Sequence, residues 1–241
     1  MTEAEFRFTV ELLREYSAAA LKNAAELLEE ASLLHENSRA ARAYFLAVAS
    51  IEETGKALQA FDAQGRNLAD SAVTAKLRRS MEDHSQKITA AFTAMLLASQ
   101  DIPKAVMPAI ELMIHLKHGR EPSMYTDIRY MESKVQIPSG MVRDVAAKDC
   151  VRLSSDCLAH ARKHIVAKKT PEVRSRAEDQ LFSMKSGQFQ KMANTEGFWW
   201  YYIAQLAAGN RDFAATAIAY QRDYFSKGKT FERADKEAGD T

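Results

Sequence analysis

Disulfide chemistry is all but missing from this chain. Its 241 residues carry two cysteines, Cys150 and Cys157. Seven positions apart on one helix, their Cα atoms would lie about 10 Å apart by rise, too far to bridge. Reduced thiols and a cytoplasmic protein are expected. Proline (5) and glycine (9) are scarce, while Ala, Leu, Glu, Lys and Arg are plentiful. These residues lose little side-chain entropy in a helix, so the composition favours an all-α protein. An excess of one charge is also missing: 33 basic and 32 acidic residues leave +1. The global basic signature of a nucleic-acid binder is therefore absent and DNA is not an expected partner, although a local basic patch stays open. No uncharged run reaches the roughly 18 residues of a membrane span. The opening MTEAEFRFTVELL has no basic segment followed by an apolar run, so no signal peptide is expected. The chain lacks G-x-x-x-x-G-K-[ST], G-x-G-x-x-G and G-x-S-x-G, and also Glu-x-x-His, which argues against a di-iron bundle.

What is present is helical periodicity. Thr2 followed by Glu5 reads as a capping box opening a helix to about Leu34, with Phe6, Val10, Leu13, Ala20, Leu21, Ala24, Leu27, Leu28 and Ala31 at helical spacing. A second helix runs from Asn37 or Ser38 to about Gln64. Its centre, Ala43 to Ile51, is apolar on all sides, as in a helix buried on most faces. A third is predicted from Asp70 or Ser71 to about Gln100, and a fourth from Pro103 to about His118. Residues 119–140 form the one long irregular stretch, with room for short strands or a hairpin. A fifth helix is predicted from Ser139 or Gly140 to about Lys168, and a sixth from Thr170-Pro171-Glu172 to about Met192. A helical hairpin follows, Thr195–Ala208 and Asn210–Phe225, broken at Gly209. The expected organisation is a helical domain over 1–168, a C-terminal helical extension packed on it over 169–230, and a frayed tail over 231–241.

Four clusters could carry chemistry. Glu52-Glu53-Thr54-Gly55-Lys56 places two carboxylates and an amine at the end of a nearly uncharged helical segment. Gly55 costs about 1 kcal/mol relative to Ala in a helix, which close approach of another backbone or a ligand would explain. The plainer reading is a solvated helix end with one ion pair, Glu52 with Lys56. The second cluster is Arg78-Arg79-Ser80-Met81-Glu82-Asp83-His84-Ser85-Gln86-Lys87, in which His84 and Lys87 share a face. Histidine moves protons near neutral pH, and lysine stabilises charge on a phosphate; here the plainer reading is a polar surface. Asp156, His160 and His164 stand at i, i+4 and i+8 beside Lys163, Lys168 and Lys169, which favours a solvated basic face over a zinc site. The aromatic run Phe198-Trp199-Trp200-Tyr201-Tyr202 points all round its helix and is expected in a core or an interface.

Together the first two clusters resemble a known family. Asn23-Ala24, Leu27, Ala31 and Leu34 precede Arg42-Ala43, Leu46-Ala47, Ala49, Glu52-Glu53 and Gly55-Lys56. This is similar to the AbiV pattern of bacterial abortive-infection (anti-phage) proteins, an N-A-x-x-L helix leading into R-A-x-x-L-A-x-A-x-x-E-E-x-G-K. His84-x-x-Lys87 falls where that family carries H-x-x-K. Arg120-Glu121, Met124-Tyr125, Asp127 and Pro138 are similar to its R-E-x-x-L-Y-x-D … P segment. The resemblance covers roughly residues 15–165 and implies an antiparallel helical bundle of HEPN type, with an irregular central loop and a C-terminal helical hairpin. It further implies a homodimer and a metal-independent endoribonuclease that needs no cofactor. The usual HEPN motif is Arg, four to six residues, then His; Arg79 and Arg78 both stand at that spacing from His84. Five residues of regular helix turn about 140°, so Arg79 and His84 meet only if the helix breaks between them.

On this reading His84 exchanges protons with the ribose 2′-hydroxyl and the leaving oxygen, and Lys87, Lys56 or Arg79 stabilises the phosphorane. Glu52 or Glu53 orients His84 or holds the lysines. Arg42, Arg78 and Tyr125 are candidate RNA-binding residues. The rival reading is a non-catalytic helical protein that blocks translation or a phage protein by binding it. RNA and a phage-encoded activator are the candidate partners, and no membrane or metal is expected.

Overall fold

The computed structural model describes residues 7–97, 102–185 and 187–232. The fold is all-α, with one small antiparallel ribbon. Two compact units divide the described residues: those of 7–65 with those of 77–172, and 66–76 with those from Val173 onward.

In the first unit, α1 (Val10–Glu36) starts where Thr9 Oγ1 accepts a hydrogen bond from the Leu12 amide. The expected Thr2–Glu5 box lies outside the described residues, and the helix begins at Val10. Helix α2 (Ala40–Ala63) is the axis of this unit, with α1 along one side. Ala43, Ala47, Val48 and Ile51 are fully buried, as a helix apolar on all sides requires. Small residues let the helices approach closely, and hydroxyls tie the seam: Ser50 Oγ donates to the Ala24 carbonyl at 2.7 Å and Ser17 Oγ to the Ala57 carbonyl at 2.8 Å.

The single third helix expected from the sequence is two helices, α3 (Ser71–Glu82) and α4 (His84–Leu97). The apolar spacing runs on through Leu77, Met81, Ile88 and Phe92, all buried, but Asp83 interrupts it. Its carboxylate accepts from the Gln86 amide at 2.9 Å and so caps a new helix. Those amide hydrogen bonds, the Gln86 bond foremost, hold the Asp83 carboxyl below its ordinary pKa despite partial desolvation.

Helix α5 (Ile102–Gly119) leads into the irregular stretch, which contains the anticipated hairpin. Strand β1 (Asp127–Arg129) pairs antiparallel with β2 (Lys134–Gln136), Ile128 opposite Val135. The expected fifth helix is also split, into α6 (Pro138–Met141) and α7 (Asp144–Lys168), because Val142 and Arg143 are extended. Both α4 and α7 pack on α2, and Ser154 Oγ donates to Ser50 Oγ at 2.8 Å.

In the second unit, the expected helix from Thr170 starts later. Ser175 and Glu178 form a reciprocal capping box that opens α8 (Arg176–Ser183), followed by α9 (Gln188–Ala193). The helical hairpin is α10 (Glu196–Ala207), capped by Thr195, and α11 (Phe213–Asp223), capped by Asp212. Gly209 between them has φ +87°, a conformation that side chains rarely adopt. Phe198 and Tyr220 are fully buried and meet edge to face at 5.5 Å between centroids. The Asp179 carboxylate takes the Arg66 guanidinium at 3.0 Å and the Asn67 amide at 2.9 Å.

Candidate functional site

The site is built on a helix crossing. A Cβ placed on Gly55 of α2 would lie 1.8 Å from the Lys87 carbonyl oxygen of α4. Only glycine fits there, so its helix-propensity cost is the condition for α4 to lie directly on α2. Glu52 stands one turn before Gly55, and His84 and Lys87 share the first turn of α4. The crossing therefore sets both cationic side chains over one buried carboxylate.

Glu52 is 5% exposed and Lys87 4%. His84 Nδ1 lies 2.7 Å from Glu52 Oε2, and Lys87 Nζ lies 3.1 Å from the same oxygen. The other oxygen, Oε1, is 3.0 Å from Arg120 Nε, just beyond the end of α5. That last contact is an ion pair without an aligned hydrogen bond. Lys87 Nζ also stands 3.2 Å from His84 Nδ1. An ionised carboxylate only accepts and an ammonium only donates, so the shorter contact, to Oε2, favours the imidazole proton on Nδ1 over the longer one from Lys87, and Nε2 is then the free nitrogen. The His84 side chain is 54% exposed, so that nitrogen belongs to a ring that reaches solvent. One carboxylate thus faces a lysine, an arginine and a histidine, so the formal charge of the cluster is positive.

Beside it, Glu53 and Lys56 form a neutral ion pair. Burial alone would lower the Lys56 pKa, but its hydrogen bond and charge attraction to Glu53 outweigh that and raise it. The Glu52–Lys56 pairing allowed by spacing is not made: Lys56 takes Glu53, and Glu52 takes residues distant in sequence.

A family model described as AbiV, of HEPN type, matches residues 12–159. The chain belongs to the AbiV family. The matched span contains Glu52, Glu53, Gly55, Lys56, His84, Lys87 and Arg120, and leaves α8 to α11 outside it. No curated protein and no solved structure matches the chain.

Within the AbiV span, the other residues singled out from the sequence lie on the surface. Arg42 is exposed on α2, Arg78 and Arg79 are exposed toward the end of α3, and Tyr125 is exposed beyond α5. The helix break needed to bring Arg79 toward His84 exists at Asp83, yet the arginine on Glu52 is Arg120. Arg120 was not among the candidate residues. Its signal was the Arg-Glu that opens the 120–127 segment, 68 positions from Glu52, a pairing no local spacing reveals. Of the third cluster, His164 packs its ring edgewise on Phe61 at 6.2 Å. No group of three or more His, Cys, Asp or Glu among the described residues could hold a metal ion. Cys150 and Cys157 are buried, which raises both thiol pKa values. No helix among the described residues is long and apolar enough to cross a membrane.

Proposed function

We propose that this AbiV-family protein is an abortive-infection phage-defence factor that stops translation by cleaving RNA without a metal ion. The observation that carries this reading is the half-exposed imidazole of His84, held through Nδ1 by a buried carboxylate inside a cluster of surplus positive charge. A histidine fixed in this way is a proton carrier with a set tautomer, and the surrounding cations favour a phosphodiester.

In the reaction, His84 Nε2 takes the proton of a ribose 2′-hydroxyl. The 2′-oxygen attacks the adjacent phosphorus, and the bond to the 5′-oxygen breaks. The products are a 2′,3′-cyclic phosphate and a 5′-hydroxyl, the leaving oxygen having gained a proton. A homodimer that brings two copies of His84 to one cleft supplies the second proton carrier. Lys87 is too buried to reach RNA; it neutralises Glu52 and adds to the positive field.

The second reading is a non-catalytic binding protein that blocks translation or a phage protein stoichiometrically. The near-complete burial of Glu52 and Lys87 favours it, because such a pair also fixes how two helices pack. Expressing the wild type and His84→Ala at matched soluble levels separates the two. The nuclease reading expects RNA fragmentation with translation arrest from the wild type alone. Arrest by both proteins with intact RNA supports the binding protein.

A further inference from the structure

Arg120 is fastened in an unusual way. At Gly119, just before it, a Cβ would meet the Tyr44 hydroxyl at 2.5 Å, so the chain comes down tightly on α2 at that point. Just after it, Ser123 Oγ donates to the Arg120 carbonyl at 2.5 Å and Ser123 itself is buried. The side chain lies on Glu52 through Nε, with the guanidinium carbon 5.6 Å from the centre of the Phe45 ring. Its interactions among the described residues end there. Nε is buried, whereas neither Nη1 nor Nη2 has a hydrogen-bond partner among the described residues, and the side chain as a whole is 24% exposed. The opposite oxygen of the same carboxyl group holds His84 through Nδ1, and Nε2 likewise has no partner among the described residues.

We propose that Arg120 and His84 form a binding site for a single phosphate group, with Arg120 Nη1 and Nη2 as a two-pronged donor and His84 Nε2 beside it. The planar guanidinium fork matches two phosphate oxygens, and an arginine anchored by its Nε and its face loses little further freedom on binding. The charge balance calls for an anion, since Glu52 is outnumbered by Lys87 and Arg120. Asp83, the nearest carboxylate along α4, is engaged in capping that helix. The inference rests on reading this site as one that handles RNA phosphodiesters, and it assigns the phosphate contact to Arg120 rather than to Arg79 or Lys87.

The test is a titration of the folded full chain with inorganic phosphate, followed through the His84 ring signals by NMR at constant ionic strength. The wild type should show a saturable shift, and Arg120→Gln should bind about tenfold more weakly or not at all. Arg120→Lys should also bind more weakly, since it keeps the charge but loses the fork. Lys22→Gln, at an 80% exposed side chain of α1 that pairs with Glu26, should titrate like the wild type. Should Arg120→Gln fail to fold, Arg120→Lys makes the comparison, because it leaves Glu52 a cationic neighbour. An unshifted wild type, or Arg120 variants that titrate like it, would overturn the assignment. RNA integrity in cells is scored separately: phosphate binding that depends on Arg120 with intact RNA leaves this site standing and removes the nuclease. Fragmented RNA without such binding does the reverse.

Discussion

Both units of this protein bury a helix glycine at a close crossing, and they fill the space around it with opposite chemistry. In the first unit, Gly55 admits the Lys87 backbone, and charged groups gather over it: Glu52, Lys87, His84 and Arg120. In the second, a Cβ on Gly197 would meet Thr230 Cγ2 at 2.7 Å and the Tyr220 hydroxyl at 2.8 Å. There rings gather, with Phe198, Tyr201 and Tyr224 each in contact with the Tyr220 ring. Rings stabilise by area and dispersion, so an aromatic cluster weakens gradually as atoms are removed. A buried ion cluster does not, because removing one partner leaves the others uncompensated. On the proposed function, the charged crossing does the chemistry and the aromatic one contributes stability.

The largest expected effect is on the aromatic side. Phe198→Ala should cost about 3–5 kcal/mol, the range for emptying a buried aromatic site. Thermal unfolding would show it, while RNA cleavage per folded molecule stays at the wild-type level; loss of cleavage in the folded fraction would break the contrast. Gly55→Ala comes next. Despite the gain in helix propensity, the collision with the Lys87 carbonyl should destabilise by about 2–3 kcal/mol and displace His84 from Glu52. The melting temperature and RNA cleavage should therefore fall together.

Asp83→Ala should cost about 1 kcal/mol, the usual worth of a helix cap. The sign of its pH dependence follows from its depressed folded pKa. The stabilisation is fully present above the ordinary value of 3.8 and is lost as pH falls below it, so the wild-type and variant melting curves should converge in acid. Smallest of all, Lys22→Gln removes an exposed i,i+4 pair with Glu26 and should change stability by no more than about 0.5 kcal/mol.

Much of this architecture was legible in the sequence, for identifiable reasons. An apolar helix centre from Ala43 to Ile51 has to be buried on most faces, and α2 is, with only Phe45, Leu46 and Ala49 of that run partly exposed. A glycine in mid-helix needs a reason, and the Lys87 carbonyl is the reason at Gly55. The irregular stretch after Gly119 did hold a hairpin. The break at Asp83 escaped because hydrophobic spacing runs smoothly across it; only the aspartate, acting as a cap, marks it. The split at Val142–Arg143 escaped because extended backbone leaves no trace in a run of helix-forming residues. His84, Lys87 and Glu52 were singled out by residue type. That all three meet, and that Arg120 joins them, depends on tertiary contacts spanning 32 to 68 positions, which no helical period encodes.

The most direct test of the account is the chemistry of RNA ends in cells expressing the wild type or His84→Ala at equal soluble levels. Fragments ending in 2′,3′-cyclic phosphate are expected from the wild type and none from the variant. Translation arrest by both proteins with RNA left intact, or fragments ending in 3′-hydroxyl, would contradict it.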